Sequence, residues 1–105
     1  QRSADVFLGL PYDITMYGLL LEMLAKGAGL KAGQLIGQLG DCHLYNNHLE
    51  QAKTFLRRPR RALPSLMLDS GIYLNEFLYI PEANEIKLIN YNPLPAIKAA
   101  LSVGK

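Results

Sequence analysis

Apolar positions along the chain fall into short clusters, and their period changes from one cluster to the next. Val6-Phe7-Leu8 is an unbroken apolar run, which predicts a buried strand over Ser3–Leu10. From Ile14 the period becomes helical. Tyr17, Leu20, Leu21 and Leu24 share one face, and Met16, Leu19 and Met23 widen it, so a helix to about Lys26 is expected to be covered on most sides. Asp13 suits its N-cap; Lys26 in the last turn and Gly27 after it suit its end. Residues 29–33 read as a turn. Gln34–Leu39 alternates weakly, broken at Gly37, and predicts a second strand that His43-Leu44-Tyr45 continues. Asn46 or Asn47 suits the cap of a second helix from His48 to about Leu56, stopped before Pro59. Ser65–Leu68 reads as a third strand, Asp69-Ser70-Gly71 as a turn, and Glu85–Tyr91 as a fourth strand. The aromatics between Tyr73 and Tyr79 allow a further strand. The class is α/β (α+β): a mixed sheet of about four strands packed by two main helices.

Composition narrows the function classes. A chain of 105 residues, 50% hydrophobic and 19% charged, is one domain at most and is expected to bury a modest core. The net charge of +2 implies no DNA partner. Arg57, Arg58, Arg60 and Arg61 surround Pro59 without interleaved aromatics and read as a solvated loop. No apolar run approaches the length of a membrane span, so no membrane is expected and a cytoplasmic protein is the default. One cysteine excludes an intrachain disulfide framework, and Cys42 reads as a small buried thiol. His43 and His48 are five residues apart with no third ligand, so no metal is expected. The start at Gln1 without an initiator Met is the pattern of a processed or trimmed chain.

Candidate chemistry gathers near the start. Arg2 and Ser3 suit a phosphate, because a guanidinium fork gives paired charge-assisted hydrogen bonds and a hydroxyl adds another. The same pair also describes a surface arginine and a strand-edge serine. Asp5 shares a strand face with Ser3. His43 and Tyr45 share another, where an imidazole and a phenol can hold one sugar hydroxyl between them or simply pack.

Several segments carry a family pattern. They are Gln1-Arg2-Ser3 through Leu8-Gly9-Leu10-Pro11-Tyr12-Asp13, Gly40-Asp41-Cys42-His43-Leu44-Tyr45-Asn46-Asn47-His48, Arg58-Pro59-Arg60-Arg61-Ala62-Leu63-Pro64, and Asn90-Tyr91-Asn92-Pro93-Leu94-Pro95-Ala96-Ile97-Lys98. In this order they resemble the C-terminal part of the thymidylate synthase family, with Asn90 where glycine is usual. The resemblance implies that residues 1–105 are the C-terminal portion of a thymidylate synthase-like domain, with a short helix over Tyr73–Tyr79. It implies folate-dependent C5 methylation of dUMP to dTMP, with 5,10-methylenetetrahydrofolate as co-substrate, in a homodimeric full-length protein. Gln1, Arg2 and Ser3 would bind a pyrimidine deoxynucleotide monophosphate, Arg2 and Ser3 through its phosphate, and His43 and Tyr45 would hold its 3′-hydroxyl. Asp5, Leu8, Gly9 and Tyr12 would face the reduced folate, with Asp5 as the supporting catalytic carboxylate. The family's nucleophilic cysteine lies upstream of the Gln-Arg-Ser motif, and Cys42 is not that residue. The chain alone is therefore expected to be inactive. Asp13 stands where thymidylate synthases carry Asn and resembles deoxycytidylate hydroxymethylases, which implies cytosine as the alternative base to uracil. A non-catalytic remnant that folds or dimerises is the other alternative.

Overall fold

The computed structural model describes residues 1–74 and 78–103. It contains β1 (Ser3–Asp5), α1 (Leu10–Gly27), β2 (Asp41–His43), a 3-10 turn (Asn46–His48) and α2 (Leu49–Arg57). Then come β3 (Ser65–Leu68), β4 (Tyr73–Leu74), β5 (Leu78–Tyr79), a second 3-10 turn (Ala83–Glu85) and β6 (Ile86–Ile89). The class is α/β, with two helices and small sheets of both parallel and antiparallel strands. The strands form three separate pairs, β1–β2, β3–β6 and β4–β5, in place of the expected single sheet of about four. The chain divides into two compact units. The first is Gln1–Thr15, Ile36–Arg60 and Leu94–Lys105; the second is Met16–Leu35 and Arg61–Pro93.

In the first unit, β1 is shorter than its apolar run. The Asp5 carboxylate accepts the backbone N–H groups of Phe7 (3.1 Å) and Leu8 (3.4 Å), and Gly9 N–H returns to Asp5 C=O (3.1 Å). These bonds turn the chain after Asp5, so Val6, Phe7 and Leu8 lie in a turn and not a strand. The Tyr12 and Asp13 N–H groups both bond to Gly9 C=O, which starts α1 at Leu10. Asp13 thus lies inside the first helical turn and is not its N-cap, although a carboxylate there still complements the helix dipole. Gln34–Leu39 forms no strand, because it has no ladder partner among the described residues. β2 begins only at Asp41 and stops at His43. His48 N–H then bonds Tyr45 C=O (2.9 Å), winding the 3-10 turn ahead of α2. Helix α2 begins at Leu49, and its cap residue, His48, makes no side-chain capping bond. Neither Asn46 nor Asn47 caps it.

In the second unit, α1 ends one step later than expected. Gly27 is its last residue, and the chain leaves through Gly29 at φ +68°, with Leu30 N–H closing back on Ala25 C=O (2.8 Å). The following turn docks backbone to backbone on this end. Ile72 N–H bonds Met23 C=O (3.0 Å), and a Cβ on Gly27 would fall 1.7 Å from the Ile72 carbonyl oxygen. Lys26 Nζ bonds the Leu68 carbonyl beside it. β3 pairs antiparallel with β6, Ser65 opposite Ile89 and Leu68 opposite Ile86. β4 and β5 pair as Tyr73 with Tyr79, so these ends of the expected helix are extended; residues 75–77 lie outside the described residues. Arg61 does not belong to a free basic loop, since its Nη1 donates to Asn92 C=O (3.0 Å).

The expected core is largely absent. Among the described residues, burial is confined to Ala4 and His48 in the first unit and Met23, Gly71 and Pro81 in the second. Tyr17 (47%), Leu20 and Leu24 (41% each) are exposed, so the apolar face of α1 is not covered as its period implied. A two-stranded sheet leaves both faces bare unless another layer packs on them, and no such layer covers β3–β6 within these residues.

Candidate functional site

The parallel pairing of β1 and β2 builds the site. Ser3 lies opposite Asp41, Ala4 opposite Cys42 and Asp5 opposite His43. Strand alternation places Ser3, Asp5, Asp41 and His43 on one face and Ala4 and Cys42 on the other. Ladder-like bonds extend the pairing below the strands: Gly40 N–H to Gln1 C=O (2.9 Å) and Asp41 N–H to Arg2 C=O (2.8 Å). Above them, Val6 N–H reaches His43 C=O (2.9 Å).

The phosphate candidates lie at the open end of this ladder. Gln1 and Arg2 are exposed and Ser3 is half-buried. Neither the Arg2 guanidinium nor the Ser3 hydroxyl has a hydrogen-bond partner among the described residues, which leaves both for an external acceptor. Gly40 sets their backbone. A Cβ there would come within 2.7 Å of Arg2 C=O, so only glycine lets β2 enter this close. The sequence reading quoted Gly40 in a motif without giving it this task; a glycine immediately before a strand was the available signal.

Gln1 also links the strand to α1. Its side-chain amide donates to Ser3 C=O and to Asp13 Oδ2, both at 2.8 Å. Asp13 is half-buried, and its Oδ1 accepts no hydrogen bond from the described residues.

His43 and Tyr45 do meet, as their spacing implied, although only His43 is in the strand. Tyr45 stays extended (φ −67°, ψ 144°), and the two rings pack edge to face with centroids 5.0 Å apart. His43 Nδ1 is held toward Asp41, 3.2 Å from its carbonyl and 3.4 Å from its carboxylate. Nε2 is the ring nitrogen left for another partner.

Asp5, Leu8, Gly9 and Tyr12 gather around the turn that joins β1 to α1. The Asp5 Oδ1 atom is committed to that turn, while Oδ2 accepts nothing from the described residues. Gly9 is pressed against Asp5, whose carbonyl would lie 3.1 Å from an added Cβ; its close approach is to this backbone. Tyr12 is 76% exposed and offers a whole ring face.

Cys42 is exposed, not buried, although Ala4 opposite it in the register is buried. Among the described residues, no group of His, Cys, Asp or Glu is arranged to hold a metal, and no helix is long and apolar enough to cross a membrane.

Comparison with known proteins identifies a family. The family profile described as thymidylate synthase matches residues 1–103. A thymidylate synthase of Listeria innocua is 49% identical over 98% of the chain and 32% of its own length. One from Coxiella burnetii is 46% identical over 98% of the chain and 38% of its own length. One from Listeria monocytogenes is 48% identical over the same share as the first. The chain spans about a third of the length of these relatives.

Proposed function

Since the chain belongs to the thymidylate synthase family, we propose that it is the C-terminal portion of an enzyme that methylates C5 of dUMP to give dTMP. The observation that carries this reading is the β1–β2 register, which brings Ser3, Asp5 and His43 to one face beside Tyr45, with Asp13 tied to the same strand through Gln1. Arg2 and Ser3 take the phosphate by charge-assisted hydrogen bonds, while Gln1, whose amide hydrogens are held by Ser3 C=O and Asp13, braces the strand beside them. His43 Nε2 and the Tyr45 hydroxyl take the 3′-hydroxyl, and Asp13 Oδ1 faces the base. The full protein is proposed to act as a cytoplasmic homodimer.

The reduced folate, 5,10-methylenetetrahydrofolate, supplies the one-carbon unit when bound. The residues around the turn fit such a group. Tyr12 presents an exposed aromatic face, Leu8 an apolar side, and the uncommitted Asp5 Oδ2 accepts a ring N–H. Anchored to the Phe7 and Leu8 amides, the Asp5 carboxylate is fixed in orientation for that task.

These 105 residues do not turn over substrate by themselves in this reading. The cysteine they hold, Cys42, is one register step from Asp5↔His43 and projects from the opposite face. The test is tritium release from C5-labelled dUMP with methylenetetrahydrofolate. Release is expected from the full protein and not from residues 1–105. A full protein that binds dUMP without release is a non-catalytic binder, and one that does neither overturns the proposal. A second reading, a deoxycytidylate hydroxymethylase, is favoured by Asp13, whose carboxylate makes no cap and whose Oδ1 accepts no hydrogen bond from the described residues.

A further inference from the structure

His48 is the most buried large side chain among the described residues, at 0% exposure, and it belongs to none of the contacts assigned to substrate or folate. Its ring lies against Phe7 (centroids 5.6 Å apart) and edge-on to Tyr45 (6.0 Å). Its Nε2 bonds the carbonyl of Ala100 at 2.6 Å, fifty-two residues along the chain. A carbonyl only accepts, so Nε2 carries the proton and donates. Nδ1 is buried with no partner among the described residues.

The segment Leu94–Val103 has no helix or strand. Among the described residues, the His48 bond is the one hydrogen bond that ties it to the rest of its unit. A phenylalanine would fill the same aromatic box without burying an unpaired ring nitrogen, which is costly. What it would lose is the bond to Ala100. The imidazole is therefore explained by the segment it holds, and not by packing.

We propose that His48 is a positioning residue that couples the C-terminal segment to the nucleotide wall. Tyr45 touches His48 on one side and His43 on the other, at 5.0 Å, so the path Ala100–His48–Tyr45–His43 is continuous. A nucleotide that fixes His43 and Tyr45 also fixes the His48 ring, and through it Ala100. This rests on the assignment of His43 and Tyr45 to the nucleotide.

The test is amide hydrogen exchange on the full protein, with and without dUMP or dCMP at a saturating level established by calorimetry. In the wild type, nucleotide should slow exchange both at residues 43–48 and at residues 96–103. In His48→Phe, exchange at 96–103 should be about two- to tenfold faster, the scale of one lost hydrogen bond, and nucleotide should no longer slow it. His48→Gln, which keeps a donor near the Nε2 position, should restore the coupling. Nucleotide that binds and protects residues 43–48 but leaves 96–103 unchanged in the wild type overturns the coupling, whether or not the variants fold. His48→Phe with full protection of 96–103 overturns it too. If neither nucleotide binds, the nucleotide assignment itself fails, and the coupling with it.

Discussion

Asp13→Asn exchanges one oxygen for an NH₂ group at almost constant volume, so it isolates a single hydrogen-bond polarity. Asp13 Oδ2 accepts the Gln1 amide at 2.8 Å, and an Asn carbonyl oxygen can keep that bond. The change falls on the other atom, Oδ1, the one proposed to meet the base. As a carboxylate oxygen it accepts from the cytosine N4 amine but opposes uracil O4, another acceptor. As an Asn NH₂ it donates to O4 and opposes the N4 amine. A mismatched buried polar pair costs about 1–3 kcal/mol, roughly tenfold to a hundredfold in preference. The position is half-buried, so the lower part of that range applies where water still reaches it. Loss of the carboxylate from the first turn of α1 also costs stability, about 0.3–1 kcal/mol, but this acts equally on both substrates. The assay is kcat/KM for dCMP and dUMP in the full protein, before and after substitution. The ratio should move toward dUMP by about tenfold or more. A fall in stability with an unchanged ratio would refute the reasoning and leave Asp13 as a helix-dipole residue alone.

Arg2→Ala should weaken dUMP binding in the full protein at least tenfold, whereas Arg60→Ala should change it little; equal losses in calorimetry would indicate diffuse charge attraction instead. Asn90 sits at φ 58°, a region open to glycine and tolerated by asparagine, so Asn90→Ala should destabilise the full protein by about 1–2 kcal/mol in urea unfolding while Asn90→Gly should be nearly neutral. The Glu85 carboxyl is held below its ordinary 4.5 by the Tyr79 hydroxyl (2.5 Å), then by the Ser70 hydroxyl (2.7 Å) and the Glu82 N–H (2.8 Å). The same bond to Glu85 raises the Tyr79 phenol above its ordinary 10.0. The lowered carboxyl stabilises above 4.5 and fails as pH falls through its folded value. The raised phenol stabilises below 10.0 and fails as pH rises through its own. Intrinsic-rate-corrected amide exchange at residues 82–85 should thus be flat between these limits and rise outside them, and Glu85→Gln should abolish the acid limb.

Elements that carry their own local signal were legible in the sequence. Helix α1 showed its 3.6 period, β3 has the ends expected of it, and the alternation of Glu85–Tyr91 overran β6 by one residue at its start and two at its end. Elements that depend on a distant partner were not. Gln34–Leu39 has alternation but no neighbouring strand to bond, and the burial of Tyr17, Leu20 and Leu24 depends on a layer that the described residues do not supply. Val6-Phe7-Leu8 misled because hydrophobicity does not show that the Asp5 carboxylate captures two amides and turns the chain. The candidate site residues came from motif order, which carries no geometry. That Asp13 meets Gln1 rather than capping α1, or that His48 reaches Ala100, follows from contacts across the fold that no spacing rule encodes.

The register of β1 and β2 also bears on the order of folding. Its first pair joins Ser3 to Asp41, while the β4–β5 hairpin closes from Tyr73 to Tyr79. Loop-closure entropy grows with the logarithm of the span, so the parallel pair costs about 1.6 kcal/mol more to bring together than the hairpin. Long-range pairing of this kind is late in most folding reactions. The two strands that carry Ser3, Asp5 and His43 would then be among the last parts to form and the first to open. A nucleotide spanning them would act as a clasp on the ladder of longest sequence span, and its binding would be read as resistance to unfolding as much as occupancy of a site.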